Sequence, residues 1–167
     1  MKFQFYYEKL LASDKYLSFK KEHPKAYPCS GFFALDLENL GKNNQVHFDF
    51  WLPDVEKMYS FKVSGPVEFV NVENFDKRAF EKLSMNYTFD LEEVMKVIQS
   101  KMDDEKIKGK MKKLLFSLQK MNGVDYLLAT VFLDNMAMLK ATYDIADKRI
   151  TDIEKKSFLD IFKIIKK

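Results

Sequence analysis

The chain is 167 residues long, almost half of them apolar, and it carries a formal net charge of +3. Its many Phe and Tyr residues and its few Gly and Pro residues exclude a disordered or low-complexity protein. Of its 28 basic residues only Arg78 and Arg149 are arginines, which disfavours a dedicated nucleic-acid reader because arginine is the preferred side chain for phosphate and base recognition. We expect one compact domain, residues 1–167.

The chain opens with a helical spacing of apolar residues. This spacing extends over residues 3–22 and predicts a helix with one apolar face. Ser13 and Asp14 are placed to interrupt the helix as an internal cap. The helix should end before Pro24, because the residue that precedes a proline is pushed out of the helical region.

From Ser30 onward the pattern changes to the two-residue period of β-strands. Apolar and polar side chains alternate in short segments separated by turns, which predicts an antiparallel meander. One face of this meander is apolar, so helices are needed on only one side. The predicted strands are residues 33–38, 46–52, 57–63 and 67–72.

Two further helices are predicted. Asp90 followed by Glu93 is the pattern of a capping box, and the apolar stripe behind it indicates a helix over residues 91–102. The C-terminal residues also show a helical spacing and predict a short final helix. Its apolar positions are Phe158, Ile161, Phe162 and Ile165.

A second meander is predicted between these helices. Asn122 and Gly123 form a strong hairpin signal, and apolar β-type runs flank them within residues 114–133. Alternation continues through residues 137–154. A helical second half is the competing interpretation, because Leu, Met, Ala and Lys dominate residues 127–140 and all four are good helix formers.

With strands in the second half, the chain has an α+β fold of antiparallel β-meanders, each preceded by a helix. Residues 3–72 and 90–156 then form two units of similar length and order. This suggests an internal repeat at the level of architecture, without residue-by-residue identity.

Residues 143–150 read as strand, acidic turn and strand, and they resemble the closing hairpin of PepSY-type domains, which are cystatin-like in shape. The stretches 26–33 and 46–49 are similar to uncharacterised archaeal proteins that pair two such units. The resemblance implies PepSY-like α-β repeats. PepSY domains themselves are mostly found outside the cytoplasm and have a suggested role in binding or restraining peptidases, but only their fold is expected of this chain. The family usually has a glycine in the last turn, where this chain has Lys148 and Arg149, and no functional residue is carried over.

The motifs of common enzymes are absent from the sequence. Its isolated glycines form no phosphate-binding loop, and its single cysteine, Cys29, leaves neither a disulfide nor a Cys/His cluster for zinc. A catalytic pair of Cys29 with His23 or His47 would need an oriented third group. We predict no catalytic site, metal or cofactor. A reducing cytoplasm fits the single cysteine, and neither a signal peptide nor a membrane span is expected.

A candidate ligand surface lies on the second predicted strand, where His47, Asp49 and Trp51 alternate onto one face. Asp36 and Glu38 join them if the neighbouring strand presents these carboxylates on the same side. The surface would then be able to hydrogen-bond or grip a ligand. An ordinary solvated outer face is the competing interpretation.

Binding of a protein or peptide by a non-catalytic module is the leading functional prediction. An open meander has unpaired backbone at its outer strands, where a peptide or a second copy can add a strand. An anionic-ligand or nucleic-acid binder using lysines and Trp51 is one alternative. A small enzyme using His47 and Asp49 is the other.

Overall fold

The structure of the protein, a computed structural model, describes residues 1–72 and 80–157. These residues form three helices and eight strands. The helices are α1 (Phe3–Leu11), α2 (Asp14–Glu22) and α3 (Leu91–Asp104). The strands are β1 (Tyr27–Asp36), β2 (Gln45–Leu52), β3 (Lys57–Lys62), β4 (Glu68–Asn71), β5 (Met111–Met121), β6 (Val124–Leu133), β7 (Ala137–Asp144) and β8 (Arg149–Ser157).

All eight strands belong to one antiparallel sheet in the order β4-β3-β2-β1-β5-β6-β7-β8. The first four form one meander and the last four a second, and each meander follows its helices along the chain. The meanders meet where β1 pairs with β5 and Phe33 lies opposite Phe116. The predicted α+β fold of helix-led meanders is confirmed, whereas the duplication of residues 3–72 and 90–156 stays a hypothesis.

The second half consists of strands, so the helical interpretation of residues 127–140 was wrong. Asn122 and Gly123 have positive φ values of 52° and 80°, as the tight turn between β5 and β6 requires. Leu127 and Ala129 are buried whereas Leu128 is only partly buried. This alternating burial overrides the local helix propensity of Leu and Ala.

In the first half the predicted interruption of the helix is present, but the first strand starts earlier than the sequence predicts. Ser13 caps α2, its hydroxyl accepting a hydrogen bond from the Tyr16 backbone N–H at 3.2 Å, so the predicted interruption is confirmed. β1 spans Tyr27–Asp36 rather than the predicted residues 33–38, and its start was missed because a bulge at Cys29 shifts the pairing register and hides the alternation in the sequence.

The helices pack against one face of the sheet and enclose the core. Phe3 of α1 lies 5.7 Å from Phe48, and Phe19 of α2 lies 5.6 Å from Phe50, measured between ring centroids. Ile98 of α3 belongs to the same buried cluster. The sheet contributes, among others, Phe33, Phe61, Leu114, Phe116, Leu118, Val131 and Leu139.

The predicted C-terminal helix falls on residues 158–167 and therefore lies outside the described residues. Among the helices of residues 1–72 and 80–157, none is long and apolar enough to cross a membrane. The described helices instead serve the core, as the complete burial of Leu10 and Ile98 shows.

Candidate functional site

The face of the sheet that turns away from α1, α2 and α3 is called the open face here. His47, Asp49 and Trp51 lie on it, because the intervening Phe48 and Phe50 point into the core. The alternation read from the sequence therefore places these three side chains correctly. Their surroundings decide what each of them can do.

Asp49 is largely enclosed between two serines. Ser30 on β1 and Ser60 on β3 stand opposite it on the neighbouring strands, and both hydroxyls hydrogen-bond to its carboxylate. Burial raises the pKa of Asp49, and the two hydroxyls partly oppose that rise. The carboxylate is thus committed to a cross-strand network.

His47 is half-buried against Phe32, with ring centroids 6.1 Å apart. Burial lowers the pKa of His47, and Lys62 on the neighbouring strand lowers it further. Both effects disfavour the charged imidazolium. No hydrogen bond within residues 1–72 and 80–157 joins it to a carboxylate, so Asp49 does not orient it as a catalytic base would require.

Trp51 is only 3% exposed. Its indole packs against Phe80, 6.1 Å away between ring centroids, and the Tyr27 hydroxyl donates a hydrogen bond to the Phe80 carbonyl at 2.9 Å. The loop at Phe80 thus covers this end of the open face. A buried indole offers no platform on which a nucleobase can stack.

Asp36 and Glu38 organise the turn after β1 and do not extend the group of His47. The Asp36 carboxylate accepts hydrogen bonds from the backbone N–H of Glu38 and Asn39 and from the side-chain amides of Asn39 and Asn43. These bonds lower the pKa of Asp36 to about 2. Glu38 pairs with Lys112 on β5 at 2.8 Å.

Cys29 lies within the sheet and is buried. Burial raises the pKa of its thiol, and the nearby Asp49 raises it further. His23, one of the two histidines considered as a partner for Cys29, packs against Phe19 and Tyr59. No group of three or more metal-ligating side chains occurs in the part of the chain that the structure describes.

One polar cluster escaped the sequence analysis. The Ser84 hydroxyl donates a hydrogen bond to Asp125 Oδ2 and accepts one from Lys120 Nζ at 3.1 Å. Burial raises the pKa of the adjacent Tyr87, and Asp125 raises it further. The cluster borders a cavity of about 480 Å³. No local sequence motif predicts this cluster, because Ser84 and Asp125 lie 41 residues apart.

The chemistry of this cluster favours a structural tie. A serine and lysine pair is nucleophilic only when the lysine is neutral and can take the serine proton. Here Lys120 Nζ also lies 3.7 Å from Asp125 Oδ1, so it forms an ion pair with the same carboxylate that holds the Ser84 hydroxyl. The cluster therefore fastens the loop before α3 to the β5–β6 hairpin, as does the bond from the Gly123 N–H to Glu81 at 3.1 Å.

An apolar patch occupies the middle of the open face. Leu115 on β5 stands opposite Ala34 on β1, and Phe32 and Leu128 flank Ser117 in the next row. We call Phe32, Ala34, Leu115 and Leu128 the central patch. Its three large side chains are partly exposed.

Charged side chains surround the central patch. Lys113 pairs in register with Asp36 on one side. Lys140 on β7 stands opposite Glu154 on β8 on another side, and Lys62 on β3 stands opposite Glu68 on β4 on a third. An apolar centre with a polar rim is the usual anatomy of a protein interface.

Comparisons with known proteins define the fold. No family model and no curated protein matches this chain. A solved structure from Clostridium difficile 630, described as a putative lipoprotein, is similar with a TM-score of 0.53 and 15% sequence identity, over 86% of this chain and 91% of that one. At this identity the similarity shows the fold alone. The PepSY-type and archaeal resemblances and the cytoplasmic location stay predictions.

Proposed function

We propose that this protein is a non-catalytic protein-binding module that binds its partner through the central patch of the open face. One observation carries the proposal. Partly exposed Phe32, Leu115 and Leu128 stand together on three strands of a face that no described helix covers. Contiguous apolar surface of this kind on a folded protein marks an interaction site.

The neighbouring residues support binding over catalysis. Among residues 1–72 and 80–157 no carboxylate orients His47, and Asp49 is held by Ser30 and Ser60. The patch itself is built on paired strands, which lose little conformational entropy when a partner docks. The mixed charges of the rim would orient that partner.

A site-specific photocrosslink tests the proposal. Thr130 stands opposite Leu115 on the open face, so we replace it with the photoreactive residue p-benzoylphenylalanine and irradiate the native host lysate. We expect a discrete adduct whose partner peptide maps to this face by mass spectrometry. If the irradiated protein stays monomeric because the photoreactive residue has reacted only with solvent, the proposal is contradicted.

A pair of matched variants identifies the surface. Leu115→Lys places a charge in the central patch and should abolish the adduct. Leu40→Lys makes the same chemical change at a residue that lies fully in solvent, and it should leave the adduct intact. Equal adduct yields from both variants would place the partner elsewhere.

A further inference from the structure

The helix layer ends before the sheet does at the β4 edge. Phe19 of α2 packs on Phe61 of β3 at 5.1 Å, and beyond this contact a cavity of about 420 Å³ opens between α2 and β4. We call it the α2–β4 groove. Its aromatic floor consists of Phe19, Tyr59, Phe61 and Phe69.

Phe69 is the unusual member of this floor. It is 48% exposed although its ring lies 4.9 Å from Tyr59 and 6.2 Å from Phe61. It also belongs to β4, the last strand in the sheet order of the described residues. An exposed aromatic ring therefore stands between an open cavity and a sheet edge.

An additional strand paired with β4 would contact both the sheet edge and the α2–β4 groove. A strand pairing with β4 places one of its side chains about 5 Å from Phe69 on the same face. That side chain would lie over the α2–β4 groove. Backbone bonds to a sheet edge supply affinity, and a pocket beside the edge supplies sequence preference.

The rim of the groove selects the charge of the occupant. Asp14 and Glu22 are exposed on α2 and line the groove, with Ser18 between them. Within the described residues neither carboxylate forms an ion pair, and Lys15 offsets one of the two charges. His23 also lines the groove, with its ring packed on Phe19 and Tyr59. A basic side chain fits this rim. A second copy would bring two acidic rims together, which disfavours self-pairing.

We propose that the α2–β4 groove binds an extended basic peptide segment as an additional strand beside β4. One apolar side chain of the peptide packs on Phe69, and a lysine or arginine two positions away reaches Asp14 or Glu22. The inference rests on the proposed protein-binding function, but it uses a surface on the opposite face of the sheet from the central patch.

A designed peptide tests the groove without knowledge of the natural partner. The probe is a fluorescent heptapeptide, Thr-Lys-Thr-Leu-Thr-Lys-Thr, blocked at both ends, in which the leucine and both lysines share one strand face. Fluorescence anisotropy measures its binding. We expect the analogue with glutamate in place of lysine to bind at least about tenfold more weakly, and equal affinities would overturn the charge argument.

Backbone methylation tests the strand pairing. Methylating one alternate set of peptide amides should abolish binding, whereas methylating the other set should not, because only one edge of the added strand faces β4. Identical behaviour of the two methylated peptides would overturn strand addition.

Protein variants locate the site. Phe69→Ala should weaken binding about tenfold, and the double variant Asp14→Asn, Glu22→Gln should remove the preference for lysine while leaving the core untouched. Thermal melting checks that Phe69→Ala folds, and Leu40→Ala serves as the surface control. Wild-type affinity in both groove variants would overturn the assignment.

The central-patch proposal and the groove proposal can be rejected independently of each other. Leu115→Lys should leave binding of the heptapeptide unchanged because the central patch faces away from the groove. Peptide binding without a photocrosslink at Thr130 would remove the central patch and keep the groove. A photocrosslink without peptide binding would do the reverse.

Discussion

The two meanders share an order of elements and differ in the chemistry of their cores. The first packs aromatic rings: Phe33 and Phe48 contact each other and Phe3 of α1, and Phe61 contacts Phe19 of α2. The second packs aliphatic side chains such as Leu127 and Leu139. The same architecture therefore arises from different residues once period and face agree. This explains why the two halves show no sequence identity.

The two edges of the sheet differ as well. β8 carries charge at five of its nine positions, which is a common protection against unwanted strand pairing. β4 has only four residues, and it exposes Phe69 beside a cavity. The charges on β8 disfavour pairing with another strand at that edge. β4 is therefore the better edge for a partner.

The largest expected effect tests the contrast between the two cores. Phe48→Ala should lower the free energy of unfolding by about 4 kcal/mol, and Leu127→Ala, on the equivalent strand, by about 3 kcal/mol. The aromatic position should cost more because Phe48 also loses ring contacts with Phe3, Tyr7 and Phe33. Urea unfolding followed by far-UV circular dichroism measures both values.

The same experiment tests whether the halves are separable. Because β1 and β5 pair along Gly31 to Asp36, we expect one cooperative transition in each variant. Two transitions, with only one shifted by Phe48→Ala, would mean that each meander unfolds alone.

The sequence was informative where the signal was local. The alternation around Phe48 and the Asn122-Gly123 turn predicted strands and hairpin correctly, since side-chain period and positive φ are properties of neighbouring residues. The register shift at Cys29 was missed because a bulge erases that period.

The candidate site was less predictable than the fold because its environment comes from distant segments. The position of Trp51 on the open face followed from alternation, but its burial depends on Phe80 from a separate loop. The contact between Ser84 and Asp125 likewise joins a loop to a hairpin. Such long-range pairs leave no signal in a single sequence, because the two residues share no local pattern.

Two glycines, one in each meander, give the next largest effect. Gly123 in the β5–β6 turn has a φ of +80°, and a Cβ there would meet no atom within 4 Å. Gly123→Ala should therefore cost about 1 kcal/mol through backbone strain alone. Gly65→Ala, equally unobstructed but without a positive φ, should be neutral or slightly stabilising. Equal losses in urea midpoints would contradict the role of φ.

Acid should weaken the turn of the first meander through Asp36. Its folded pKa of about 2 lies below the ordinary aspartate pKa of 3.8, so its stabilising contribution is complete above pH 3.8 and is lost as the pH falls toward 2. Asp36→Asn should flatten the decline of the urea midpoint between pH 4 and pH 2. A parallel decline in both proteins would assign acid sensitivity to other carboxylates.

The smallest expected effect concerns the ion pair that joins the two meanders at the surface. Lys112 on β5 and Glu38 after β1 lie 2.8 Å apart, and both are exposed. Water and salt screen such a pair, and ordering two long side chains offsets the attraction. Lys112→Gln should leave the urea midpoint unchanged at low and high salt. A clear loss at low salt that disappears at high salt would show that electrostatic attraction, in addition to the β1–β5 hydrogen bonds and core contacts, holds the meanders together.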